Sequence, residues 1–113
     1  MPRLRMYRRS WQLTLGDMAT LLGFKSAAHV SRLEQGKRTP SLETALACTA
    51  IFGVALDEIF PELMYATGRR IEMRATRFRI GHEKRSTPVD KRKCDLMDEV
   101  IARVGGVPKT IEA

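Results

Sequence analysis

Cysteine, histidine and aromatic residues are scarce in this sequence. Its two cysteines, Cys48 and Cys94, lie far apart, form no CxxC pair and have only two histidines, His29 and His82, for company. That spacing excludes the usual zinc motifs and a disulfide framework, and it fits a reducing cytoplasm. Cys48 falls in an apolar helical stretch and reads as a buried small hydrophobe. No run approaches the ~18–20 apolar residues of a membrane span. The opening Met-Pro-Arg-Leu-Arg passes directly into a patterned segment, without the profile of a signal peptide. There is no Gly-rich phosphate loop and no metal motif, and neither histidine has an evident Ser, Cys or carboxylate constellation. The expectation is a cytoplasmic protein with no catalytic residue, no metal, no cofactor and no membrane association.

What the sequence has in excess is positive charge. Twenty Lys/Arg against 13 Asp/Glu give a net +7 over 113 residues, with a pI of about 10.0. A basic balance in a small chain points to a polyanionic partner, most often nucleic acid, or else to a simple solubilising charge. The length suits one domain, or one compact domain plus an appendage. Hydrophobic residues make up 43% of the chain, enough for a folded core over at least part of it.

The first 60 residues read as short helices divided by tight punctuation. A basic amphipathic helix covers Leu4 to about Ser10, with Leu4 and Arg8 on one face and Leu13 as an apolar anchor after it. Thr14 can cap the next helix through its hydroxyl. In that helix Leu15, Met18, Ala19 and Leu22 recur at three, four and seven, and Gly23 terminates it. Ser26 caps a third helix held by Val30 and Leu33 and stopped by Gly36. Pro40-Ser41 opens a fourth, whose apolar stripe is expected to be Leu42, Ala45, Leu46, Thr49, Ala50 and Phe52, with Gly53 at its end. A short fifth helix holds Leu56, Ile59 and Phe60 and is closed by Pro61. Five short helices with one tight Gly-centred turn suit a helix-turn-helix plan.

Over residues 4–60 the chain resembles the Xre, or lambda-repressor/Cro, family. The resemblance is carried by Arg8, Leu13-Thr14, Met18-Ala19 and Leu22-Gly23. It continues through Val30-Ser31-Arg32-Leu33-Glu34-Gln35-Gly36-Lys37-Arg38 and Pro40-Ser41-Leu42, and ends with Phe52-Gly53-Val54 and Leu56-Asp57-Glu58-Ile59-Phe60. It implies an all-α fold and a DNA-binding transcription regulator, acting as a repressor, that inserts the helix at 26–35 into the major groove of double-stranded DNA. By the same resemblance Ser26, Ala27, Ala28 and Arg32 are the base-reading positions. Thr14, Lys25, His29, Ser31, Gln35, Lys37 and Arg38 are phosphate or flanking positions, and Arg8 and Glu34 form a structural salt bridge. Three features depart from the common pattern. Leu15 stands where Gln is frequent, Gln12 stands where Gly is frequent, and the run from Gly23 to Glu34 is one residue longer.

Residues 69–93 hold ten Lys/Arg against Glu72, Glu83 and Asp90, a net +7 equal to that of the whole protein. This segment reads as a basic arm on phosphate, as a solvated linker, or as a short strand (Ile71, Met73 and Ala75 alternate) pairing with a second subunit. Thr87-Pro88 starts a final helix with Val89, Lys93, Leu96, Met97, Val100, Ile101 and Val104 as its apolar stripe. Gly105-Gly106 end that helix, and a frayed tail follows over 108–113. The expected architecture is a helix-turn-helix domain at 1–62, then a basic linker and an amphipathic C-terminal helix at 63–113. That helix folds back on the N-terminal domain, serves homodimerisation or binds a protein partner. An alternative reading is the antitoxin of a toxin–antitoxin pair, with the C-terminal half wrapping a protein toxin.

Overall fold

The structure, a computed structural model, describes residues 2–105. Gly106 and the tail expected to fray lie outside the described residues. The described residues are helical, with no strand among them. Seven helices follow in order: α1 Leu4–Ser10, α2 Leu15–Leu22, α3 Ala27–Glu34, α4 Leu42–Phe52, α5 Leu56–Ile59, α6 Pro61–Glu83 and α7 Pro88–Gly105. The chain divides into two compact units, Met1–Met64 and Tyr65–Ala113. None of the helices is long and apolar enough to cross a membrane.

Punctuation in the first unit follows from side-chain capping. Thr14 accepts the amide of Asp17 while the Asp17 carboxylate accepts the amide of Thr14, a reciprocal capping box. The bond from the Thr14 amide holds the Asp17 carboxyl below its ordinary value, with the Thr14 hydroxyl adding to the effect. Gly23 and Gly53 end α2 and α4 in the left-handed region at φ 76° and 67°, a conformation that glycine adopts without steric cost. Ser41 caps α4 through the amide of Thr44.

Leu4, Met18, Val30, Cys48 and Ile59 are fully buried and form the centre of the core with Ala19, Leu33, Ala45 and Phe60. Tyr7, Leu13, Leu15 and Leu22 pack partly buried against it. Burial pushes the Cys48 thiol up to about 11, because the thiolate cannot be solvated there.

Gln12, at the position where the resemblance leads to an expectation of glycine, has φ 59°. A left-handed backbone costs a residue with a Cβ roughly 1–2 kcal/mol, more than the ~0.5–1 kcal/mol of extra backbone entropy that glycine loses on folding. Gln12→Gly is therefore expected to stabilise the protein by about 0.5–1 kcal/mol. The urea midpoint should rise at constant slope; a lower midpoint would refute the strain argument.

The structure corrects the sequence reading in three places. Of the segment expected as a basic linker or strand, only 84–87 lie between helices, before α7, and residues 69–83 are the end of a long helix, α6. Pro61, read as a stop, is its first residue, where a proline lacks only an amide that would be unpaired anyway. Gly68, Glu72, Ala75, Arg79 and His82 recur at four and three along its inner face, and Ala75 is buried while Met73 is exposed. The Ile71–Met73–Ala75 alternation thus has no structural counterpart.

On α4 the buried face is Thr44, Ala45 and Cys48, and Leu42 and Leu46 of the expected stripe are 73% and 55% exposed. On α7 the inner positions are Asp90, Cys94, Met97, Ile101 and Val104, while Val89, Lys93 and Leu96 face outward.

Within the second unit α6 and α7 form an antiparallel hairpin. Arg79 Nε donates to Asp98 at 2.6 Å and its Nη1 to Glu83 at 2.8 Å, so Asp98 and Glu83 hold the guanidinium above its ordinary pKa. Gly68 lies against Val104, where an added Cβ would sit 3.6 Å from the valine. Thr87 caps α7 by accepting the Asp90 amide, and its hydroxyl donates to the Asp90 carboxylate.

Candidate nucleic-acid interface

α3 is held by one side and presents the other. Val30, Leu33 and Glu34 are buried. Residues two positions round the helix from these must face solvent, given 3.6 residues per turn. Ala28, Arg32 and Gln35, spaced at four and three, are all exposed. Ser26 precedes the helix in an extended conformation (φ −144°, ψ 147°) and accepts the amide of Ala28 at 3.1 Å.

The remaining sequence-derived positions fall into three groups. Ala27 and Ser31 are half-buried flanks of the outward line, and the Ser31 hydroxyl accepts a bond from the Gln35 amide at 2.9 Å. His29, flanking the Ala28–Arg32 line, is half-buried with its ring against Phe24, centroids 5.4 Å apart. Lys25 before the helix, and Lys37 and Arg38 after it, are exposed. Gly36, at φ 71°, turns the chain between Gln35 and those last two cations.

A buried ion pair fixes the end of α3, whose middle is held in the core by Val30 and Leu33. Arg8 Nε donates to Glu34 Oε2 at 2.6 Å, Nη2 to Oε1 at 3.1 Å, and Nη1 to the Leu13 carbonyl at 2.7 Å. This ties α1, the turn after it and the end of α3 together by three charge-assisted bonds.

Because Arg8 is drawn to Glu34, its neighbours Arg5 and Arg9 come to the same edge. They line a groove of about 530 Å³ with Thr14, Leu15, Gly16, Ser31 and Gln35. Sequence reasoning had not singled out Arg5 and Arg9. Their spacing to Arg8 carried the signal, once the bridge to α3 was granted. Thr14, occupied in its capping box, sits at this groove, and Leu15 turns partly into the core. The arrangement offers hydrogen-bond donors and positive charge around a protruding helix. No group of three His, Cys, Asp or Glu among the described residues is placed to hold a metal.

Comparison with known proteins falls on the same helices. A family model described as a helix-turn-helix domain matches residues 3–59. An uncharacterized HTH-type transcriptional regulator of Methanocaldococcus jannaschii is 38% identical over 58 residues, covering 51% of this chain and 86% of the relative. No solved structure matches. The matched stretch contains α1 through α5, the capped turn into α3 and the Arg8–Glu34 tie, and on that stretch the chain belongs to the helix-turn-helix domain family.

Proposed function

We propose that the protein is a sequence-specific DNA-binding transcription regulator, a repressor that acts as a homodimer on a short inverted repeat. The observation that carries this reading is the outward line Ala28–Arg32–Gln35 on a helix whose inner face is locked into the core. Arg32 is suited to bidentate bonding with guanine O6 and N7, and Ala28 to apolar contact with a thymine methyl. Ser26 and Ala27 stand at the helix start, where base edges are reached. Phosphates on either side are met by Thr14, Lys25, Ser31, Lys37 and Arg38. Arg5 and Arg9 add donors at the groove beside α2. Leu15, standing where Gln is frequent, has no side-chain amide to donate, and these two arginines supply donors to phosphate on that edge instead. The net +7 of residues 69–93, spread over α6, the turn after it and the first turns of α7, adds sequence-independent attraction that weakens as salt rises.

The test is selection of bound duplexes from a random pool, followed by anisotropy titration of the enriched site at physiological salt. A defined sequence should emerge and bind about a hundredfold or more tighter than scrambled duplex. Arg32→Ala should weaken that site about 10- to 100-fold and relax preference at one base pair. Because Arg32 is exposed, thermal stability should not move. Failure to enrich any sequence would sink the proposal.

A further inference from the structure

The outer face of α6 carries charge that nothing in the hairpin uses. The inner positions are Gly68, Glu72, Ala75, Arg79 and His82, so the residues two further on point the opposite way, given 3.6 residues per turn. Those residues are Arg70, Arg74, Arg77, Gly81 and, just past the end of the helix, Lys84, and all five are exposed. None of the four cations forms an ion pair among the described residues, whereas Arg69 and Arg79 are taken by Glu72, Glu83 and Asp98. No carboxylate falls on this line. At 1.5 Å per residue it runs about 21 Å.

Gly81 is a second observation on the same line. A glycine inside a helix weakens it relative to alanine. Gly81 is exposed, has no left-handed backbone to justify it, and a Cβ added there would meet nothing within 4 Å. Gly68 of the same helix, by contrast, lies against Val104. Neither a turn nor packing within the chain calls for Gly81, and a bare backbone in open space suits the close approach of a ligand.

We propose that this line is a second duplex-DNA surface, separate from α3, along which one sugar-phosphate backbone lies and comes closest at Gly81. Three of its four cations are guanidinium groups, which suit bidentate bonds to phosphate oxygens. An anionic membrane fits less well. The exposed Met73 and Ile80 lie to one side of the line and Ile71 and Phe78 to the other, leaving no continuous apolar strip to enter the acyl region. The assignment rests on the DNA-binding reading above and gathers part of its dispersed attraction into a contact.

Anisotropy titration of the full chain on a scrambled duplex, between about 50 and 200 mM salt, tests it. Arg70→Gln, Arg74→Gln and Arg77→Gln together should lower the slope of log K against log salt by about 2–3, at ~0.9 per phosphate. Lys91→Gln, Arg92→Gln and Lys93→Gln remove the same charge from α7 and should lower it by less than about 1. Gly81→Gln removes no charge. It should raise Tm, because glutamine is the better helix former, yet weaken binding at least about fivefold by filling the space the backbone occupies.

Equal slopes for the two triple variants would mean diffuse charge and overturn the surface. So would a Gly81→Gln chain that gains stability and binds duplex as the wild type does. Triple α6 variants that keep duplex binding but lose binding to phosphatidylglycerol vesicles would assign the face to a membrane and overturn it too. The α3 reading is judged separately: Arg32→Ala should abolish base preference while changing the slope on scrambled duplex by no more than about 1. Failure to enrich any sequence, with the α6 triple variant still lowering the slope, would overturn the regulator reading and leave this surface standing.

Discussion

Glu34→Ala is expected to destabilise the protein by about 3–5 kcal/mol, because it strands a buried guanidinium. Arg8 and Glu34 are only 7% and 4% exposed, so water cannot replace the lost carboxylate. The bond from Arg8 to the Leu13 carbonyl would survive, but it does not neutralise the charge. For a domain of this size each kcal/mol lowers Tm by about 4–8 °C, so the variant should be largely unfolded at temperatures the wild type tolerates. Urea titration gives the number. A loss below about 1 kcal/mol, the worth of an exposed pair, would contradict the buried geometry. Arg8→Met combined with Glu34→Leu should recover most of the loss, since an apolar pair of similar volume removes the stranded charge. Such a recovery would separate the cost of an unpaired ion from the worth of the bridge.

Leu33→Ala should cost about 2–5 kcal/mol, through lost transfer energy and the cavity left behind. Leu33 is 1% exposed and, with Val30, is the apolar anchorage of α3. The outward Ala28–Arg32–Gln35 line depends on that anchorage, so amide exchange along α3 should accelerate along with the global loss of stability. Leu42→Ala removes the same atoms from a side chain 73% exposed, and should change stability by no more than about 0.5 kcal/mol. Similar costs at the two positions would mean that the burial pattern of α3 and α4 is misassigned.

The contrast between Leu33 and Leu42 also shows where the sequence could be read and where it could not. Caps are local chemistry, so Thr14, Ser26, Ser41 and Thr87 marked four helix starts unaided. α2 and α3 each have one apolar side, and their inward residues followed from spacing.

α4 is apolar nearly all round, so periodicity could not say which of its faces is the inner one. Cys48 and Thr44, both small, won the inner face over the two leucines. In α7 the buried positions include Asp90 and Cys94, which no hydrophobic pattern selects. α6 was hidden by its charges. Its inner face is built from Gly68, Glu72, Ala75, Arg79 and His82, small or polar residues that no hydrophobic pattern selects. The outward line on α3 was available through family resemblance and helical spacing together. The basic edge at Arg5 and Arg9 needed the three-dimensional tie from Arg8.

The two cysteines have a practical consequence. Each unit carries one, Cys48 in the first and Cys94 in the second, and both are buried. With its thiol pushed up to about 11, Cys48 is almost wholly protonated at neutral pH and shielded from solvent, so a thiol reagent meets it only when the first unit opens. Pulsed alkylation of the unaltered chain, read by mass spectrometry of its two cysteine peptides, becomes a pair of clocks. One records the opening of the helix-turn-helix unit and the other that of the hairpin, with no label or substitution introduced.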